Sequence, residues 1–467
     1  MVIMEQENKQ YRVERDTLGE VKVPAEHLWK AQTQRSWQNF PIGRKTHGMP
    51  GGIIQALGYL KDACAYANRQ LVPERMSEVK YQAIHDACQP IIEGELSREF
   101  PLVVFQTGSG TQTNMNVNEV ISGFAQNRLT PPVVLHPNDD VNMSQSSNDT
   151  YPSAMHIAAV MALEHQVIPA VDEIVKVLCQ LEAENAAVVK IGRTHLQDAV
   201  PLTFAQEISG WRSSLEGDRQ ALADAVDVLR PLAIGGTAVG TGLNAPAGFG
   251  EAVCQRLSET TGTRFTSAEN KFHALTSLNE FQIASAAVKA TAADMMKMAN
   301  DIRWLASGPR CGLGELEIPA NEPGSSIMPG KVNPTQCEQV TQVAAAIFGY
   351  DATIGFAATQ GNFQLNVFLP VTAYSFLTSA SILSESIKSF TKRCLVGLKP
   401  NREHMEELLE NSLMLTTIFA PYIGYEKAAK LAQYAHKHQM SLREANQALG
   451  YLDQERFDQL FHPERYV

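Results

Sequence analysis

The densest run of reactive side chains in this 467-residue chain is Gly324-Ser325-Ser326-Ile327-Met328-Pro329-Gly330-Lys331-Val332-Asn333-Pro334. Glycines bracket two hydroxyls, an ammonium and an amide, so the backbone can bend and move around them. The run then opens a helix whose first amides favour an anion. The bland alternative is a Gly/Pro loop with a capping Asn, but capping gives Lys331 and the two serines nothing to do. Glu338 follows in the first turns of the helix, where an acid complementing the helix dipole is the competing reading.

Three further polar segments carry more functional groups than a loop requires. Gly192-Arg193-Thr194-His195-Leu196-Gln197-Asp198-Ala199 places a histidine among hydrogen-bonding neighbours at the end of a long helical pattern. A lone histidine is more often structural, but this company favours acid–base work. Thr107-Gly108-Ser109-Gly110-Thr111-Gln112-Thr113-Asn114 offers hydroxyls and backbone donors to a carboxylate. Its glycines fit neither a phosphate loop nor a dinucleotide fingerprint, since no strand precedes a βαβ unit. His136-Pro137-Asn138-Asp139-Asp140 leads into Ser144-Gln145-Ser146-Ser147-Asn148-Asp149, where a structural role as turn formers or caps weighs equally with a functional one for Asp139 and Asp140.

Long helices must position these segments. In 155–184 the residues Ile157, Val160, Met161, Val167, Ile168, Val171, Ile174, Val175, Leu178 and Leu181 recur at three- and four-residue steps, and Pro169 predicts a kink. A second pattern covers 275–306, and a third starts at Asn333–Pro334, read as N-cap and first helical residue. Ser441 to Glu444 reads as a capping box. The texture is mixed over 1–143, dominated by long helices over 144–399, and short-helical over 400–467, which gives three predicted domains of an all-α, bundle-forming chain.

Bulk properties exclude several classes. A net charge of −11 argues against a nucleic-acid binder, and an anionic substrate would need local positive potential against that field. Seven cysteines, Cys64, Cys88, Cys179, Cys254, Cys311, Cys337 and Cys394, include no CxxC pair. They fit neither a disulfide framework nor a close-spaced metal site, and read as free thiols in a reducing cytoplasm. Met1–Asp16 has the pattern of neither a signal nor a transit peptide. No apolar run reaches the roughly 20 residues of a membrane span.

The stretch from Gly324 to Asn333 resembles the GSSxMPxKxN signature of the fumarase/aspartase superfamily. Ala31–Ser36, Thr107–Asn114, 136–149, Gly235–Asn244 and Arg303–Arg310 look familial too, so the resemblance covers essentially the whole chain. Within the superfamily it is closest in pattern to the class II fumarases. Aspartases typically carry Gln where this chain has His195 and Ala where it has Gly330, and their loop does not continue into Thr335-Gln336-Cys337-Glu338.

The resemblance implies a fumarase/aspartase-like fold, in which a long central helix bundle is flanked by two smaller, mostly helical domains. It implies reversible hydration of fumarate to L-malate in the tricarboxylic acid cycle, by anti addition and elimination through an aci-carboxylate. Ser325 would be the base that takes the C3 proton, His195 the acid at the C2 hydroxyl, and Glu338 the group that orients or charges it. Lys331 and Asn333 would grip the substrate with Ser109, Gly110, Thr111, Ser146, Ser147, Asn148, Thr194, Ser326 and Val332. No metal or organic cofactor is implied. The expected state is a homotetramer with each active site shared by three subunits, with neither nucleic acid nor membrane as partner. A second dicarboxylate site at His136, Pro137, Asn138 and Asp139 is also implied, although Val133, Val134 and Leu135 stand where some relatives have basic residues. The alternatives are an aspartate ammonia-lyase or a catalytically silent structural tetramer.

Overall fold

The computed structural model describes residues 10–467. The N-terminal stretch read above for targeting signals lies, through Lys9, outside the described residues. In chain order the main elements are a hairpin of β1 (Tyr11–Asp16) and β2 (Gly19–Pro24), then α1 (Ala31–Asn39), α2 (Gly51–Leu71), α3 (Glu78–Ile92), α4 (Thr111–Asn127), α5 (Ser147–Ala162) and α6 (Ile168–Glu184). A second hairpin, β3 (Val189–Thr194) and β4 (Gln197–Thr203), precedes α7 (Phe204–Leu229), α8 (Phe249–Thr261), α9 (Lys271–Thr276), α10 (Asn279–Leu305), α11 (Thr335–Ala358) and α12 (Leu369–Phe390). Five short helices, α13 (Arg402–Asn411) through α17 (Gln454–Leu460), complete the chain. The protein is mostly helical, and the sheets among the described residues are two-stranded.

Each predicted long helix is present, with local differences. Pro169 has no N–H to give the carbonyl four residues back, and its ring crowds that carbonyl. The chain meets this with a π turn, Leu163–Val167, that joins α5 to α6 without a break. The pattern predicted over 275–306 is split. Ser277 Oγ accepts the Asn279 amide at 3.1 Å, which ends the α9 region and starts α10 afresh. The capping box is observed, with Ser441 Oγ accepting from Glu444 N at 3.2 Å and Ser441 N donating to Glu444 Oε2 at 2.8 Å.

By length and mean hydropathy, 1.3, the helical stretch Ser147–Glu184 is apolar enough to cross a bilayer. However, 67% of that window is buried inside the protein, which is how a core helix passes the same test.

The chain forms two compact units, each of three segments: 1–169, 220–290 and 345–384 in the first, 170–219, 291–344 and 385–467 in the second. In the first unit Phe281 lies edge-on to Phe376 at 5.4 Å, with His156 edge-on to Phe281 at 5.2 Å. In the second, Phe419, Phe457, Leu415, Leu431 and Ala445 form a core among the C-terminal helices, and Ile191 of β3 inserts into it. Val189 packs against the same cluster, so the second hairpin is anchored to this core.

Candidate active site

The second unit holds Thr194, His195, Ser325, Ser326, Lys331, Val332, Asn333 and Glu338. His195 does not end a helix. It forms, with Leu196, the two-residue tip of the β3–β4 hairpin, where Thr194 pairs with Gln197. Both tip residues are left-handed, at φ +57° and +59°, the conformation a tight hairpin turn demands. Asn and Gly supply it cheaply; a histidine and a leucine hold it under strain. Gly192 is required at the bulge below, because a Cβ there would lie 2.7 Å from the Val200 carbonyl. Arg193 makes a bidentate pair with fully buried Glu315, at 2.8 and 3.2 Å. Buried Lys190 approaches Glu207 at 3.1 Å and Glu315 at 3.6 Å. Burial raises the Glu207 carboxyl above its usual range, against the pull of Lys190. The stem is thus fixed by buried charge while the His195 ring is exposed and makes no hydrogen bond among the described residues.

The signature loop is closed at its base and open at its tip. Gly324 N donates to the Lys331 carbonyl at 2.8 Å, and Asn333 Nδ2 donates to the Gly324 carbonyl at 2.6 Å. Asn333 therefore staples the loop rather than capping α11, whose first hydrogen bond runs from Glu338 N to the Pro334 carbonyl at 3.1 Å. Inside the loop, Ser325 Oγ accepts two backbone amides, Ile327 N at 3.2 Å and Met328 N at 3.0 Å. Two amide dipoles aimed at one hydroxyl oxygen favour negative charge on it. Ser326, Lys331 and Val332 are exposed, and the Lys331 ammonium and Glu338 carboxylate have no partner among the described residues.

The first unit holds Ser109, Gly110, Thr111, Ser146, Ser147 and Asn148, with His136, Pro137, Asn138 and Asp139. Gly110 is left-handed, φ +72°, at the start of α4, and a Cβ there would collide with the Tyr151 ring at 2.3 Å. Ser109 Oγ and Thr111 Oγ1 are 2.8 Å apart at that helix N-terminus. Ser146 caps α5, its Oγ accepting Asn148 N and its own N–H donating to Asp149 Oδ1. Asn148 Nδ2 donates to the Ala238 carbonyl at 2.8 Å. A cleft of about 1170 Å³ brings Thr111 together with His136, Pro137 and Asn138, beside Lys30 and Arg35. A smaller one of about 480 Å³ joins Ser146 and Ser147 to Asn138 and Asp139, beside Arg75.

The 136–141 segment folds as a π turn, Pro137–Val141, in which His136 Nδ1 accepts Asp139 N at 3.1 Å. Asp140 is structural: it takes the His136 amide at 2.8 Å and Lys80 Nζ at 2.6 Å. Asp149 is structural as well, since its Oδ2 accepts the amides of Gly235 and Thr237 at 3.0 and 2.8 Å. Burial raises its carboxyl above the usual range, and those amides hold it down. Asp149 thus docks the Gly235–Asn244 segment beside Ser146–Asn148.

Sequence reasoning passed over Lys30, Arg75, Lys61 and Glu315. Each is a single charged residue in an ordinary context, and only the cleft or the buried partner marks it out. In the larger cleft Arg15, Lys30 and Arg35 are balanced by Glu14, Asp16 and Glu119, and Arg35 is paired with Asp16 at 2.7 Å, so this cleft does not itself supply the positive potential that a net charge of −11 calls for.

Comparison with known proteins agrees with this architecture. A family model described as lyase matches residues 19–349, and one described as the fumarase C C-terminus matches 415–467. The chain is similar to the class II fumarate hydratase of Bacillus cereus, 55% identical over 98% of this chain and 99% of that one. It is 54% identical to the Bacillus subtilis class II fumarate hydratase over the same shares. A crystal structure of recombinant class II fumarase from Schistosoma mansoni superposes with a TM-score of 0.94 at 42% identity, covering 97% of this chain and 98% of that one. With identity above one half sustained along nearly its full length, the chain belongs to the class II fumarate hydratase family.

Proposed function

We propose that this protein catalyses the reversible hydration of fumarate to L-malate. The observation that carries the reading is the pair of amides on Ser325 Oγ, which equips that hydroxyl to be ionised. Starting from malate, the Ser325 alkoxide removes the C3 proton. The electron pair passes to the adjacent carboxylate, giving an aci-carboxylate that Lys331 and Asn333 stabilise as its charge grows. His195 then protonates the departing C2 hydroxyl, through a water, and Glu338 orients or charges the imidazole. Ser109, Gly110, Thr111, Ser146, Ser147, Asn148, Thr194, Ser326 and Val332 complete the substrate cradle.

These groups fall in two units, and an active site drawn from three subunits of a homotetramer accounts for that division. Large apolar side chains left exposed support such an assembly: Phe363 is 94% exposed, Phe356 63% and Trp304 55%. Along the sequence we retain a division at 143/144 and 399/400, with 144–399 supplying the tetramer's helix bundle. Location in the cytoplasm is supported by the cysteines, all seven of which are free.

Ultraviolet absorbance of the chelator-treated protein tests the reaction, with fumarate formation followed from L-malate and, separately, from L-aspartate. Activity on malate alone is expected. Fumarate from aspartate would move the chain to the ammonia lyases, and silence on both would restore the structural-tetramer reading.

His136, Pro137, Asn138 and Asp139 are proposed as a second dicarboxylate site, supported by the cleft that the first three share with Thr111 and by the smaller cleft that Asn138 and Asp139 line. Calorimetric titration with a dicarboxylate should show a second, weaker phase that His136→Asn removes. A single phase in the unmodified protein would eliminate this site.

A further inference from the structure

Lys61 on α2 has no solvent exposure, and no carboxylate among the described residues lies within ion-pairing distance of it. Its ammonium donates instead to two side-chain amide oxygens, Asn142 Oδ1 at 2.9 Å and Gln145 Oε1 at 2.8 Å. An ammonium has only protons to offer, so it dictates which end of each amide faces it. With its oxygen fixed, Asn142 also accepts from Asn114 Nδ2 and Asn118 Nδ2, both at 3.1 Å. The Asn114 amide nitrogen is thereby turned inward, and it donates at 3.1 Å to Ser147 Oγ as well. Asn114 Oδ1 is left buried without a donor, which marks this orientation as imposed rather than preferred locally. Ser147 Oγ, with a lone pair occupied, keeps its proton for another acceptor. Asn142, Gln145 and Ser147 all line the smaller cleft.

We propose that Lys61 is a positioning residue of the substrate site: acting through Asn142 and Asn114, it sets the direction of a hydrogen-bond chain that ends with the Ser147 proton aimed at a substrate carboxylate. The inference rests on the fumarate hydratase reading and on Ser147 as a substrate contact. Without the ammonium, Asn142 and Asn114 are free to turn over, and the Ser147 proton can satisfy Asn114 Oδ1 instead. Burial draws the ammonium down to about 8, against the pull of the Asp149 carboxylate.

The test is a double-mutant cycle on the intact oligomer, with KM and kcat for L-malate and fumarate. Lys61→Met keeps the stem volume and removes the donors; Ser147→Ala removes the proposed contact. Each single variant should raise KM about tenfold, the scale of one hydrogen bond to a charged group, and move kcat less. In the Ser147→Ala background, Lys61→Met should add little. Multiplicative effects, or an unchanged KM in folded Lys61→Met, would overturn the positioning role. A purely structural lysine would act independently of residue 147. If Lys61→Met fails to assemble, Asn114→Ala cuts the same chain one link later and is judged by the same coupling. If Ser147→Ala alone leaves KM unchanged, the contact itself is wrong, a failure separable from that of Lys61.

Discussion

Ser325→Ala should lower kcat by about a thousandfold, the contribution of a well-placed general base. It should also slow exchange of the C3 proton of malate with deuterated solvent, followed by NMR. Stability should hardly change. The amides of Ile327 and Met328 lose an acceptor, but both residues are exposed, at 83% and 49%, so water replaces it. Thermal midpoint and oligomer size should therefore match the parent, and the lost turnover reports chemistry. Near-parental activity would remove Ser325 from the base role and leave the two amides as an ordinary serine turn.

His195→Asn should cut kcat by about a hundredfold or more. Asparagine is the informative replacement because it tolerates the left-handed backbone that residue 195 adopts, φ +57°, so the hairpin tip survives. Arg193 and Glu315 are untouched, and the stem should remain fixed. The loss should fall on expulsion of the C2 hydroxyl, so exchange of the C3 proton of malate with deuterated solvent should be slowed less than dehydration. Near-parental kcat in the His195→Asn protein would assign the acid elsewhere.

What could be read from the sequence was set by range. The long helices announce themselves by apolar residues at three- and four-residue steps, and the reactive segments by their unusual density of small polar groups. The hairpin that carries His195 did not announce itself. Val189, Ile191 and Val200 give too short an alternation to compete with the helical patterns on either side, and the bulge at Gly192 breaks its phase. Asn333 beside Pro334 has the local chemistry of a helix cap, yet the helix starts at Thr335 and the Asn333 side-chain amide instead donates to the Gly324 carbonyl, nine residues away. Lys61 sits in the run Leu60-Lys61-Asp62-Ala63, where a solvated lysine is the ordinary expectation. Only tertiary packing against Asn142 and Gln145 shows it buried. The three regions of differing texture were visible, whereas the interleaving of six segments into two units depends on contacts that no window of sequence contains.

The strained tip of the β3–β4 hairpin carries a lesson for anyone engineering this enzyme. A search for thermostability would favour Asn-Gly at positions 195 and 196, the pair best suited to that turn, for a gain of about 1 kcal/mol. On the proposed mechanism the same change discards the acid. Directed evolution selected on folding alone would drift toward an inert scaffold by its easiest step, so any stabilisation campaign needs an activity screen that keeps this dipeptide fixed.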